Sequence, residues 1–281
     1  MQIAMITWFA LLASIGQLDA RTYLYVSRFD SHNGYHAVVR GFNAALYDAN
    51  GKALGSISPL RSISVGERAF WYVPRDSDDI CSFSFGTPNS RKCVHAPKHP
   101  GEMSALKFYN GAIYFFADSF HRVKGRYGHY YDLFRMDETT REVRAVSRDH
   151  FFTLPPQWCI GNALEYMYLD GESARLDGIR KFSLPGGDRR NLFLSESCAV
   201  NGNAIAVADA PRLIVDGKVT SFPSAGLVFP FKDGWLVQSG TEFKVYSRLG
   251  DRELESGSMG HDFVLHSDGG RFFLINFGRR P

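Results

Sequence analysis

Residues 103–118 read MSALKFY-NG-AIYFFAD, two apolar runs joined by Asn110-Gly111. Both residues of such a two-residue link need positive φ, which Asn and Gly tolerate, so the stretch reads as a tight β-hairpin. The pattern returns as SCAV-NGN-AIAVAD (197–209), LVFPF-KDG-WLVQSG (227–240) and FVLHS-DGG-RFFLINF (263–277). A second hairpin follows each of the first three: YDLFRMD-ETT-REVRAVS (131–147), RLIV-DGK-VTSF (212–222) and FKVYSR-LGD-RELES (243–256). Residues 65–96 and 157–195 hold looser copies of both halves. Near the start, FNAALYDANGKALGSIS (42–58) is a second-type hairpin with no clear partner before it. At the end, 261–277 is a first-type hairpin with nothing after it. No stretch sustains an apolar 3.6-residue period over three turns, so the chain is expected to be all-β.

Composition agrees. The chain has 281 residues, 44% of them hydrophobic, enough to fill a core and to exclude general disorder. Its 23 Phe, 13 Tyr and 4 Trp favour half-buried strands, and its 27 Gly punctuate turns. The net charge of +3, with no run of five like charges, argues against a nucleic-acid partner and for a mixed solvated surface.

Hairpin plus hairpin makes four strands every 30–50 residues, and the two orphan hairpins at the ends would complete one shared unit. This arrangement resembles the β-propeller, a ring of four-stranded blades often closed by both termini. The resemblance covers residues 22–281 and is one of fold: there is no WD dipeptide, kelch double-Gly signature or S-x-D-x-G-x-T-W box. The units count as six: the shared one, then 65–98, 103–148, 157–196, 197–223 and 226–258. The placement of TYLYVSRF (22–29) leaves five or seven open.

Residues Ile3 to Gly16 (IAMITWFALLASIG) carry no charge, and 14 residues are too few to span a bilayer. The run suits the apolar part of an export leader cut after Leu18-Asp19-Ala20, although no Lys or Arg precedes it. The expected division is a signal peptide at 1–20 and a single propeller domain at 21–281, in a periplasmic or secreted protein with no later transmembrane segment. The competing reading of the N-terminus is a buried first strand. Four cysteines in an exported chain suggest two disulfides. Three pairings are possible; Cys81–Cys93 with Cys159–Cys198 is the expected one, since Cys81 and Cys93 flank one hairpin turn and can pair across its two strands. On the propeller resemblance, Cys159 and Cys198 hold similar positions on the innermost strands of consecutive blades. There is no CxxC and no zinc-finger spacing, so neither metal nor cofactor is expected.

The propeller resemblance implies that ligands meet the face carrying the loops between strands two and three and the joins between blades. The longest such segment is DSFHRVKGRYGHY (118–130), with His121, Arg122, Lys124, Arg126, Tyr127 and His129. Next is SRDHFFTLPPQW (147–158), with Arg148, His150, Phe151, Phe152 and Trp158, which also reads as a crossover packed into the core. RDSDD (75–79) and DGESARLDG (170–178) are smaller. Asp118, Asp170 and Asp209 recur at the end of a second strand, more as turn-closing residues than as metal ligands. No G-x-S-x-G, H-E-x-x-H, Walker or dinucleotide motif occurs. A basic and aromatic rim suits a protein partner. The expected function is therefore an exported binding protein, in its concrete form an inhibitor or immunity-type partner of a toxic exported enzyme. The alternative is a carbohydrate-active enzyme or lectin, with Trp71, Trp158 and Trp235 as stacking platforms.

Overall fold

A computed structural model describes residues 15–19, 28–87, 90–96, 106–123, 126–151, 157–161, 165–167, 172–175, 181–183, 197–209, 212–216, 218–221, 227–239, 242–258, 263–268 and 271–276. These residues form strands and turns, with no helix among them. They fall into two units, Tyr25–Gln157 and, together, Met1–Leu24 with Trp158–Pro281. The first strand, β1 (Ile15–Asp19), belongs to the second of these.

The unit around 25–157 holds three four-stranded antiparallel meanders. The first is β2 (Arg28–His32), β3 (Tyr35–Arg40), β4 (Asn43–Tyr47) and β5 (Ala53–Ile57). The second is β6 (Leu60–Val65), β7 (Ala69–Pro74), β8 (Asp79–Ser84) and β9 (Lys92–His95). The third is β10 (Lys107–Tyr109), β11 (Ala112–Val123), β12 (Arg126–Asp137) and β13 (Val143–Phe151).

The middle strands bury both faces, which is why they read as unbroken apolar runs. In β7, Phe70 and Tyr72 pack with Val39, Leu46 and Ile63 of the first two sheets. Trp71 and Val73 alternate onto the other face, against Phe115, Phe134 and Met136 of the third.

Polar contacts fix how these sheets sit together. Asp30 of β2 accepts from Ser64 Oγ (2.7 Å) and Val65 N (2.8 Å) of β6. Ser62 Oγ and Ser64 Oγ of β6 accept from Leu106 N (2.8 Å) and Phe108 N (2.9 Å). At the turn after β12, Glu138 reaches back to the second sheet. Its Oε1 accepts from Trp71 Nε1 (2.9 Å), and its Oε2 accepts from Glu67 N (3.2 Å). Gly66 is required beneath it, because a β-carbon there would collide with Glu138 Oε1 and the Trp71 indole. The Arg141 guanidinium lies over that indole, 5.5 Å from its ring centre.

The other unit holds four sheets. One contains β14 (Gln157–Trp158), β16 (Glu165–Met167), β17 (Glu172–Arg175) and β18 (Lys181–Ser183). The next joins β15 (Ile160–Gly161) to β19 (Ser197–Asn201), β20 (Ala204–Asp209), β21 (Arg212–Val215) and β22 (Lys218–Ser221). Then come β23 (Leu227–Phe231), β24 (Gly234–Ser239), β25 (Glu242–Tyr246) and β26 (Glu253–Ser258). The last pairs β27 (Phe263–Asp268), β28 (Arg271–Asn276) and β1. Trp235, Val228 and Val237 pack against Leu213 and Val215.

Several expectations meet this topology. Asn110 and Gly111 both take positive φ, 45° and 72°, as their hairpin requires. At 232–234 the two link residues are Lys232 and Asp233, while Gly234 already pairs with Phe231. There a β-carbon would run into the Tyr246 carbonyl. The hairpin at 42–58 has its own inner strands, β2 and β3, joined through Asn33-Gly34. It therefore shares no sheet with 263–276, and the described strands form seven sheets where the repeats count six. Of the expected leader, Ile15–Asp19 is described, and it pairs in parallel with β28 from Phe272 to Asn276.

Cys81 and Cys93 stand directly opposite each other on β8 and β9 and are disulfide-bonded, as expected. Cys159 is buried and also disulfide-bonded. The parallel register Ile160↔Ala199 sets its backbone level with that of Cys198.

The Glu138 clasp makes a direct prediction. Glu138→Ala leaves the buried Trp71 N–H unpaired and should cost about 1–3 kcal/mol. Urea unfolding should show a lower midpoint at unchanged slope. An unchanged midpoint would mean that the clasp carries no stability.

Candidate functional site

Within the 25–157 unit, β6 and β10 run side by side in the same direction, as the paired bonds from Ser62 to Leu106 and Ser64 to Phe108 show. The β7–β8 and β11–β12 connections therefore lie at one end of their sheets. The join at 58–59 and the turn at 41–42 lie there too. Leu60 N donates to the Phe42 carbonyl (2.8 Å), and Arg75 N donates to that of Pro59 (3.2 Å).

The segment 118–130, expected as an irregular loop, is instead a continued ladder. β11 and β12 are 12 residues each, twice the length of β7. Their pairing runs unbroken from Ala112↔Asp137 to Val123↔Arg126. The reason lies in the residues: Phe and Tyr recur in both arms, and only two residues, Lys124 and Gly125, separate them. The six pairs beyond Ala117 add about 20 Å of ribbon at ~3.3 Å per residue.

The ladder brings most of the expected rim residues together. Arg122 stands opposite Tyr127, His121 opposite Gly128, and His129 opposite Phe120. β13 extends alongside, setting His150 opposite Tyr131 and Phe151 opposite Tyr130. Arg148 falls in the irregular step between Ser147 and His150. Lys124 and Phe152 lie outside the described residues, as does Asp170. Trp158 belongs to β14 and is half-buried.

Trp71 and Trp235, expected as sugar platforms, are core residues at 2% and 0% exposure. Their Nε1 groups donate to Glu138 and to the Arg248 carbonyl. They are not available for stacking on a ligand.

At the same end as the ribbon is a cavity of about 600 Å³ lined by Phe42, Arg61, Arg75, Asp76, Ser77 and Asp78. Arg61 organises it. Its Nη2 donates to the Arg75 carbonyl (2.7 Å), and its Nη1 lies 3.9 Å from Asp78 Oδ1. Ser77 Oγ caps the loop by accepting from Asp79 N (3.0 Å). The Arg75 guanidinium stacks 3.9 Å over the Phe42 ring. The acidic run was visible in the sequence; Phe42 and Arg61 were not, because they lie 33 and 14 residues upstream of Arg75 and only the fold gathers them. Among the described residues, no group of three or more His, Cys, Asp or Glu is placed to hold a metal. No helix among them is long and apolar enough to cross a membrane.

No family model matches the chain, and no curated protein matches its sequence. Solved structures do match in shape. A catalytically inactive virginiamycin B lyase from Staphylococcus aureus with quinupristin superposes with a TM-score of 0.54 at 12% identity, covering 85% of this chain and 86% of that one. The Pan2 WD40 domain of Neurospora crassa gives 0.52 at 11%, covering 89% and 77%. KlAtg21, in complex with the coiled coil of AgAtg16, gives 0.55 at 10%, covering 82% and 84%. The matches are to β-propeller proteins, and with the four-stranded sheets they establish the class: an all-β protein with the β-propeller fold.

Arg61→Gln should release the 75–78 loop. Amide hydrogen exchange at Asp76–Asp78 should accelerate, while global stability changes by less than about 0.5 kcal/mol. Unchanged exchange would show that Arg61 does not hold the loop.

Proposed function

We propose that this is an exported binding propeller that grips another protein with the β11–β12 ribbon. The single observation that carries the reading is the ribbon itself, which doubles the ordinary strand length and gathers Arg122, Arg126, Tyr127, His129 and His150 on paired positions. A short stretch of irregular chain would lose entropy on binding; a paired ladder is already ordered. Arg and Tyr supply the contact chemistry of binding hot spots. KlAtg21, a structural match, is in complex with the coiled coil of AgAtg16.

Residues 1–20 act as the export leader in this reading, and the mature chain carries +4 because Asp19 is the only charge removed. The Cys81–Cys93 disulfide suits an oxidising compartment. In its concrete form the partner is a toxic exported enzyme that the ribbon inhibits.

The test is a triple charge reversal, Arg122, Lys124 and Arg126 each to Glu, in tagged protein expressed in its native host. The wild type should retain a partner whose capture weakens as salt rises. The variant should lose it at an unchanged melting temperature. Equal retention by both proteins would overturn the reading.

A further inference from the structure

We infer that the cavity between the first two sheets binds a neutral polyhydroxylated ligand, a sugar unit. Its volume of about 600 Å³ falls within the ordinary range for small-ligand sites. The decisive feature is which of its polar groups the fold leaves unused.

Arg61 Nη2 is committed to the Arg75 carbonyl, while its Nη1, 3.9 Å from Asp78 Oδ1, is buried with no hydrogen-bond partner among the described residues. Arg75 has its guanidinium over the Phe42 ring, 3.9 Å from its centre, and the guanidinium N–H groups make no hydrogen bond or ion pair among the described residues. Asp76 likewise makes none with its carboxylate. Arg75 thus forms no ion pair with Asp76 or Asp78, although all three line one cavity. Phe42 remains 48% exposed beside them.

The cavity therefore presents a planar fork of donors, carboxylate acceptors and a half-exposed aromatic ring. Its formal charges cancel, two Arg against two Asp. A lone anion at the Arg75 fork would meet Asp76 and Asp78, and a lone cation would meet Arg61 and Arg75. Adjacent sugar hydroxyls avoid both conflicts. They donate to the carboxylates and accept from the guanidinium, while the C–H face of the ring covers Phe42. This site stands independently of the ribbon.

The test is saturation-transfer NMR on the whole protein with glucose, galactose, mannose, N-acetylglucosamine, maltose, cellobiose, lactose and chitobiose, and with sodium acetate as the anion control. At least one sugar should receive saturation. Asp76→Asn and Arg75→Ala should abolish the signal at unchanged melting temperature, and Phe42→Ala should weaken it roughly tenfold. The ribbon triple variant should leave the sugar signal intact, so the two readings fail separately. No signal from any of the eight sugars, a signal that survives Arg75→Ala, or binding of acetate alone would each overturn the assignment.

Discussion

The Asp30 carboxylate accepts two hydrogen bonds from β6, and Ser64, one of its donors, in turn accepts from Phe108 N. Three inner strands are tied by one short polar relay. The relay matters because apolar packing alone does not set register: Trp71, Phe115 and Phe134 would tolerate small slides along their sheets, whereas a hydroxyl shared between a carboxylate and an amide does not. With Ser62 making the same bond one step earlier, β6 and β10 are locked in direction and offset. That the ribbon and the cavity lie at the same end of the sheets follows from that lock.

The two ends of these sheets are used differently. At one, Glu138 and Arg141 close over Trp71 and bind the second sheet to the third. At the other, the Arg75–Asp78 loop leaves donors and acceptors unspent, and β11 and β12 run on past their neighbours. Among the described residues β10 pairs with β11 at Ala112–Tyr114 and β13 reaches β12 as far as Tyr130, so the ribbon beyond relies on its own cross-strand pairs.

Most of the fold was legible because its turns are chemically loud. Asn110-Gly111 and the repeats that follow it mark hairpins without any tertiary information. The first sheet was quieter. Its turn, Asn33-Gly34, carries the same signal, but β2 reads RFDSH and lacks apolar alternation. Part of its hold on the next sheet comes from Asp30, and a hydrogen-bonding strand leaves no hydrophobic trace in sequence. That strand accounts for the difference between six repeats and seven sheets. The ribbon was misread for a related reason: Lys124, Gly125 and the flanking His and Arg residues look like loop composition, while the pairing that orders them is visible only across two strands. Phe42, Arg61 and Arg75 could not be grouped from one chain, since each belongs to a different turn or strand.

Gly66 and Glu138 lie 72 positions apart, yet they occupy one another's space. A side chain at 66 would crowd both the carboxylate and the Trp71 indole, so losing the acid alone relieves only part of the clash. The three positions are therefore expected to be inherited together: a related chain with a larger residue at 66 should lack both an acid at 138 and a tryptophan at 71. The second and third sheets would then diverge as a pair, each limiting the substitutions the other accepts.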